Sequence, residues 1–139
     1  MSWAWVAEEC PNSSIVLFAG SWMWTMWYDT IYASQDKKDD IKAGVKSSAL
    51  YFGSTIRKYL VFFGSSLVLS LIVSGIMNNQ TLVYYAVSVV GGALHLLWQL
   101  NTVNFESPKS CFELFHANAL YFGGVVETGL LLDYLLASN

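Results

Sequence analysis

The sequence predicts an all-α fold, a multi-spanning transmembrane helical bundle with about four spans. Of its 139 residues, 55% are hydrophobic and only 12% are charged, whereas about a quarter of the residues in a typical soluble domain are charged. Four stretches are long and apolar enough to cross a bilayer, which takes roughly 20 residues of helix. Helices are expected there because unpaired backbone polar groups are costly in hydrocarbon. We expect residues 1–139 to form a single membrane domain.

The predicted spans cover approximately residues 15–33, 59–77, 82–100 and 117–136. The first is rich in tryptophan. The second contains small residues, which let helices approach closely in lipid; these are Gly64, Ser66, Ser70, Ser74 and Gly75. Glycine pairs at 91–92 and 123–124 predict the same kind of contact in the third and fourth spans.

The connecting segments differ in charge. Six of the seven basic residues lie between Asp36 and Lys58, and the short segment 78–81 has none. The positive-inside rule therefore places residues 36–58, and with them the loop 101–116, on the inner face of the membrane. The net charge of −3 gives no indication of nucleic-acid binding. The two cysteines, Cys10 and Cys111, stand alone, which argues against a zinc site or a disulfide framework.

Acidic residues cluster where the first predicted span ends. If the helix continues past residue 33, its geometry places Asp29, Asp36 and Asp40 on one face and directs Asp39 away. Magnesium suits such carboxylates, since it prefers oxygen ligands and often bridges one or two of them to substrate phosphates. Lys42 and Lys46, which follow, would contact the same anionic group as point charges.

Two other interpretations of this cluster stay open. Alternating acids and lysines beyond a membrane helix commonly form a solvated loop, although Asp29 lies inside an apolar run, where a carboxylate needs a partner or a water-lined cavity. A small cation transporter that uses the acidic helix is the other interpretation.

Further polar residues lie in or beside the predicted spans. His95 either lines a substrate cavity or is a hydrogen-bonded packing residue. Glu127 lies deep in the fourth span and needs a partner, whereas Asp133 is expected to reach water near the helix end. Arg57 and Lys58 either bind diphosphate or anchor the second span at the headgroups.

The run from Tyr28 to Leu50, YDTIYASQDKKDDIKAGVKSSAL, resembles the second aspartate-rich motif of the UbiA superfamily of intramembrane prenyltransferases. It is similar in particular to 4-hydroxybenzoate polyprenyltransferases of ubiquinone synthesis and to fungal meroterpenoid prenyltransferases. The resemblance continues more loosely through Trp98-Gln99-Leu100, Asn104-Phe105 and Ser110-Cys111-Phe112.

The resemblance implies a magnesium-dependent transfer of a prenyl group from a prenyl diphosphate to an aromatic, phenolic-acid acceptor. In such enzymes, two aspartate-rich motifs face each other across a helical bundle and hold Mg²⁺ against the diphosphate. Asp36 and Asp40 would be the metal ligands here, and Asp29 a third catalytic acid. Lys42 and Lys46 would bind the diphosphate.

The sequence also departs from this family. The first aspartate-rich motif and about half of the expected spans are absent from these residues. We therefore expect the chain to correspond to the carboxy-terminal half of a UbiA-type bundle, in the mitochondrial inner membrane or another endomembrane. It would either work with an amino-terminal half or be a truncated, non-catalytic membrane subunit or remnant.

Overall fold

The structure, a computed structural model, describes residues 11–137, apart from the side chain of Lys38. All regular elements in this range are helical, which confirms the predicted fold class. The longer helices are α1 (Asn12–Ala33), α4 (Ile56–Met77), α5 (Leu82–Thr102) and α6 (Pro108–Ala137), and the short ones are α2 (Lys37–Ala43) and α3 (Ser48–Phe52). The single-domain prediction also included residues 1–10, 138 and 139, which lie outside the described residues.

Three helical stretches in the described part of the chain are long and apolar enough to cross a membrane. They are Ser48–Met77, Leu82–Thr102 and Pro108–Ala137, and they contain the second, third and fourth predicted spans. The first predicted span is also a helix, Asn12–Ala33, with 22 residues. Its mean hydropathy is lower than that of the other three stretches. The reason is that it contains tryptophans, serines, threonines and one aspartate among its apolar residues.

Small residues of α4 allow close helix approach, as the sequence predicts, and the structure shows that the partner helix is α1. Gly20 of α1 lies directly against the side chain of Ser70. A Cβ atom added at Gly64 would lie 2.7 Å from the indole of Trp27, so the ring packs where a larger residue would have a side chain. Ser74 is also buried. Because of these close approaches, α1 and α4 form the most extensive helix–helix contact among the described residues.

The prediction for the glycine pairs holds in part. Gly91 and Gly92 of α5 face Val125 and Phe122 of α6, so this pair does allow close approach. In contrast, a Cβ atom added at Gly124 would have nothing within 4 Å among the described residues.

The expectation that Asp133 reaches water is wrong. The residue is 5% exposed, and its carboxylate accepts hydrogen bonds from the backbone N–H of Thr81, at 2.7 Å, and from the Thr81 hydroxyl. Thr81 also accepts a hydrogen bond from the N–H of Val83, at the start of α5. The carboxylate therefore fixes the end of α6 against the first turn of α5, where helix N–H groups lack partners.

Two amide side chains, Gln99 of α5 and Asn118 of α6, bind each other in the interior. Gln99 Nε2 donates to Asn118 Oδ1 at 3.1 Å, and Asn118 Nδ2 donates to Gln99 Oε1 at 2.9 Å. Each amide oxygen also accepts from an indole of α1. Trp27 donates to Gln99 at 3.0 Å, and Trp24 donates to Asn118 at 3.3 Å. We call these four side chains the amide clamp.

Three members of the amide clamp are buried, with Gln99 at 0%, Asn118 at 1% and Trp27 at 2% exposure, and Trp24 is half-buried. Asn118 Nδ2 also donates to the carbonyl of Leu114, one turn earlier in α6. A π-helical turn, Asn118–Phe122, starts at this residue. Because buried polar groups are costly when they lack partners, the clamp favours one register of α1, α5 and α6.

Replacing one amide of the clamp should destabilise the bundle. Asn118→Leu leaves Gln99 and the indole of Trp24 without their partner, and an unsatisfied buried polar group costs about 1–3 kcal/mol. We expect the free energy of unfolding in detergent, followed by tryptophan fluorescence, to fall by about this amount.

Asn101→Leu is the matched control, because Asn101 is exposed and, within the described residues, its side chain bonds only to Leu97 of its own helix. Its effect should stay within about 0.5 kcal/mol. The double variant Gln99→Leu/Asn118→Leu should lose less than the sum of the two single losses, because the residues interact directly. Additive losses, or an equal loss in Asn101→Leu, would contradict this account.

Candidate active site

The acidic segment is interrupted by a turn. Helix α1 ends at Ala33, residues 34–36 form the turn, and α2 begins at Lys37. The N–H of Ser34 bonds to the carbonyl of Ile31 at 3.1 Å, three residues back, as in a tightened last turn. The predicted common face of three aspartates required an unbroken helix, so this condition is not met.

The structure places the three predicted site acids on two elements. Asp29 is exposed on the outward side of α1, the side that also presents Phe18 and Trp22 at 69% and 61% exposure. Asp36 is exposed and precedes α2, and Asp40 is half-buried one helical turn later. The N–H of Asp40 bonds to the carbonyl of Asp36 at 2.9 Å. Asp36 and Asp40 are therefore neighbours, while the turn separates both from Asp29.

The predicted diphosphate-binding lysines lie at the surface. Lys42 pairs with Asp39 at 3.2 Å, and both side chains are largely exposed. An exposed pair of this kind contributes little to stability, so Lys42 can exchange Asp39 for another anion at small cost. Lys46 is exposed beyond Gly44, whose φ of 71° ends α2 in the left-handed conformation. Within the described residues, neither lysine pairs with Asp36 or Asp40.

Aromatic packing fixes the end of α1 that carries Asp29. The ring of Tyr32 lies 4.8 Å from that of Phe115 in α6, and the ring of Tyr28 lies 5.7 Å from it. One turn back, Trp24 packs edge-on against Tyr28 at 5.5 Å. Because this side of α1 packs on α6 and Trp27 and Ile31 are buried, the side chain of Asp29 is left to point outward.

Phe105, in the loop between α5 and α6, joins three parts of the site end. Lys37 Nζ lies 5.6 Å from the ring centroid and the Arg57 guanidinium lies 5.3 Å from it, both within cation–π range. Arg57 also donates to the carbonyls of Leu100 and Val103 at the end of α5. The start of α2, the start of α4 and the end of α5 are held together in this way.

Sequence reasoning missed these contacts. It considered diphosphate binding and headgroup anchoring for Arg57, whereas the structure shows the side chain capping a helix end. For Phe105, the loose family resemblance was the available signal. The sequence around Arg57 or Phe105 does not indicate which residues they contact. For Arg57, the hydrogen-bond partners lie at least 43 residues away in the sequence.

His95 fits the packing interpretation. Its ring is half-buried and lies 5.3 Å from that of Trp98 and 6.3 Å from that of Phe122. Its Nε2 atom has no hydrogen-bond partner in the described part of the chain.

The described residues contain no group of three or more His, Cys, Asp or Glu side chains placed to hold a metal ion. Asp36 and Asp40 thus offer a pair of carboxylates on their own. Such a pair can supply some of the oxygen ligands of a hard cation, with water or phosphate oxygens as the others.

Removing the Arg57 contacts should loosen the loop beside the acidic segment. Hydrogen bonds to charged groups contribute about 1.5–3 kcal/mol, so Arg57→Gln should speed amide exchange in residues 100–107 by roughly tenfold or more. Hydrogen–deuterium exchange of the detergent-solubilised chain, read by mass spectrometry, measures this rate.

Lys58→Gln removes the neighbouring positive charge and is the matched control. Lys58 is exposed and makes no hydrogen bond or ion pair in the described residues, so exchange in residues 100–107 should match the unmodified chain. Equal acceleration in both variants would show that general charge loss, and not helix capping, controls the loop.

The sequence of the chain is similar to those of known proteins. The chain matches the model of the UbiA prenyltransferase family over residues 1–123. It is 58% identical over 137 residues to "UbiA prenyltransferase claS" of Ampulloclitocybe clavipes. The matched region comprises 99% of this chain and 44% of that protein. It is 41% identical to "4-hydroxybenzoate geranyltransferase 1" of Lithospermum erythrorhizon, over 90% of this chain and 40% of that protein.

A third relative is the "4-hydroxybenzoate polyprenyltransferase, mitochondrial" of Dictyostelium discoideum, 43% identical over 92% of this chain and 28% of that protein. The chain therefore spans less than half the length of these relatives. No solved structure matches it. Because the family model covers most of its residues, the chain belongs to the UbiA prenyltransferase family.

Proposed function

We propose that this chain supplies one side of the active site of an enzyme that transfers a prenyl group from a prenyl diphosphate to an aromatic, phenolic-acid acceptor. The observation that carries the proposal is the pair Asp36 and Asp40, which lie one helical turn apart at the start of α2. No ion pair with a described basic residue neutralises them. The chain's family membership gives this pair its chemical context.

Magnesium fits the pair. Mg²⁺ keeps several waters and is commonly held by one or two carboxylates together with substrate phosphates. Asp36 is exposed and Asp40 half-buried, so both remain accessible to a hydrated ion. When bound, the ion would help neutralise the departing diphosphate.

The remaining site residues have distinct roles in this proposal. Prenyl transfer breaks the carbon–oxygen bond to diphosphate, which leaves with the electron pair, while an acceptor ring carbon forms the new bond and loses its proton. Lys42 and Lys46 bind the diphosphate as point charges. Asp29, which is exposed on the outward side of α1, is in this proposal a third catalytic acid near the acceptor or the metal. Preorganised charge of this kind stabilises the transition state.

The names of the relatives support a proposal about the biological setting. Several relatives are named for 4-hydroxybenzoate, and some of these names add a mitochondrial location. We infer that the chain acts in ubiquinone or meroterpenoid biosynthesis, in the mitochondrial inner membrane or another endomembrane. Its partners are the prenyl diphosphate, the aromatic acceptor, the lipid bilayer and an amino-terminal half that carries the first aspartate-rich motif.

A second candidate function is a truncated, non-catalytic membrane subunit or remnant. It is supported by the lack of a metal-binding group of three or more ligand side chains in the described residues. In this case the acidic pair would have no opposite motif to work with.

Asp36→Asn and Asp40→Asn should abolish prenyl transfer when the chain replaces the matched region of the claS protein. Loss of one electrostatic contact to the reacting charge typically costs about 10²–10³-fold in rate. Incubation of membranes with 4-hydroxybenzoate, geranyl diphosphate and Mg²⁺, followed by product chromatography, measures the transfer.

Asp39→Asn is the matched control, because Asp39 is exposed and pairs with Lys42, and its rate should stay within a few-fold of the unmodified hybrid. Equal loss in all three variants would sink the assignment of the pair. An inactive but folded hybrid, with claS itself active in the same assay, would favour the remnant.

A further inference from the structure

The ring of Phe105 contacts two cationic side chains that differ in what else they bind. The Arg57 guanidinium, 5.3 Å from the ring centroid, also donates to the carbonyls of Leu100 and Val103. Two of its nitrogens are therefore engaged by the end of α5. Lys37 Nζ, 5.6 Å from the centroid, makes no hydrogen bond or ion pair among the described residues. Its N–H donors are thus available to a ligand.

A cation–π contact restrains a lysine differently from an ion pair. The aromatic ring attracts the ammonium through its quadrupole and carries no net charge. Lys37 therefore keeps its full positive charge while its side chain is held in place, whereas a carboxylate partner would neutralise that charge. Lys37 is also half-buried, which is consistent with a restrained side chain. Phe105 thus holds a cation that can still bind an anion.

Lys37 is more restrained than two other lysines of the acidic segment. It directly follows Asp36 and is the first residue of α2. The side chain of Lys42, in contrast, is 77% exposed and pairs with Asp39, and Lys46 is exposed beyond the end of α2. A long exposed side chain loses rotamer freedom when it binds a ligand, and a side chain that is already held in place loses less.

The loop that carries Phe105 is itself fixed on both sides of the ring. The backbone N–H of Asn104 donates to the hydroxyl of Ser110 at 3.1 Å, and the Asn104 side-chain oxygen accepts from the N–H of Glu106 at 3.0 Å. These bonds place the Phe105 ring independently of its contact with Lys37. The ring is therefore a fixed support against which the lysine rests.

We propose that Phe105 is a positioning residue, which holds Lys37 beside Asp36 so that the Lys37 ammonium contacts the diphosphate of the prenyl substrate. This inference rests on the proposed function, because it needs that substrate at the pair Asp36 and Asp40. Lys37 supplies a point charge to a diphosphate oxygen. The diphosphate gains negative charge as the carbon–oxygen bond breaks, so a fixed cation there stabilises the departing group.

A purely structural role for Phe105 is the alternative. The ring is partly buried against the apolar interior, so its removal would also loosen the loop without acting through Lys37. The two roles differ in one respect, because a structural role does not need the charge of Lys37. Coupling between substitutions at the two positions therefore distinguishes them.

The test measures binding of inorganic pyrophosphate, in the presence of Mg²⁺, to the hybrid in which this chain replaces the matched region of claS. Isothermal titration calorimetry gives the dissociation constant. Lys37→Gln removes the charge and should raise this constant by roughly tenfold or more, as expected for a lost hydrogen bond from a charged group. Phe105→Leu removes the aromatic face but keeps an apolar side chain, and should raise it by roughly three- to tenfold.

Two further variants separate positioning from packing. Phe105→Trp keeps an aromatic face that binds cations at least as well, so its affinity for pyrophosphate should match that of the unmodified hybrid. The double variant Lys37→Gln/Phe105→Leu should bind as weakly as Lys37→Gln alone, because Phe105 acts through the lysine. Circular dichroism checks that each variant keeps its helices, and Phe105→Met replaces Phe105→Leu if the latter does not fold.

Two variants near the same loop serve as matched controls. Lys109→Gln removes an exposed lysine that pairs with Glu113. Phe112→Leu removes an exposed ring that packs edge-on against His116 at 4.6 Å. Both should bind pyrophosphate like the unmodified hybrid.

Four results would overturn the positioning role. These are no pyrophosphate binding to the unmodified hybrid, unchanged affinity in Lys37→Gln, equal losses in Phe105→Leu and Phe105→Trp, and additive losses in the double variant. A hybrid that binds pyrophosphate in the expected pattern but transfers no prenyl group would support the role of Phe105 and count against the proposed function alone. An active hybrid that is insensitive to Lys37→Gln would do the reverse.

Discussion

The reciprocal hydrogen bonds between Gln99 and Asn118 set the geometry on which the rest of the bundle depends. Apolar side chains can slide past one another at little cost, but each amide oxygen here accepts both the other amide and an indole of α1. A shift of any of the three helices would leave several polar groups unpaired in a region that excludes water, where each is costly. The amide clamp thus fixes the rotation and register of α1 against α5 and α6.

That register determines where the acidic segment begins. With Trp24 and Trp27 bound inward, Tyr28 and Tyr32 meet Phe115, and Asp29 is left on the outward side of α1. The turn at residues 34–36 then starts from a fixed point. Arg57 and Phe105 hold the neighbouring loop in place. Asp36 and Asp40 therefore lie beside a packed part of the structure. Such support is what a preorganised charged site requires.

In the described bundle, several buried polar groups have hydrogen-bond partners, whereas several carboxylates are exposed. Gln99, Asn118, Trp27 and Asp133 are buried with partners. Asp29, Asp36 and Glu127 are exposed. For a chain that spans less than half the length of its relatives, this arrangement places the unpaired charge on faces that further polypeptide, metal or substrate can reach.

The sequence by itself determined the helical class, the approximate spans, the small residues of α4 that allow close helix approach, the family and the spacing of Asp36 and Asp40. These features depend on composition and on residues a few positions apart. Only the tertiary structure decided the break at residues 34–36, the burial of Asp133, the capping role of Arg57 and the amide clamp. The partners in the clamp are up to 94 residues apart. Local periodicity shows which side of a helix is apolar, but the packing of whole helices selects which polar groups meet.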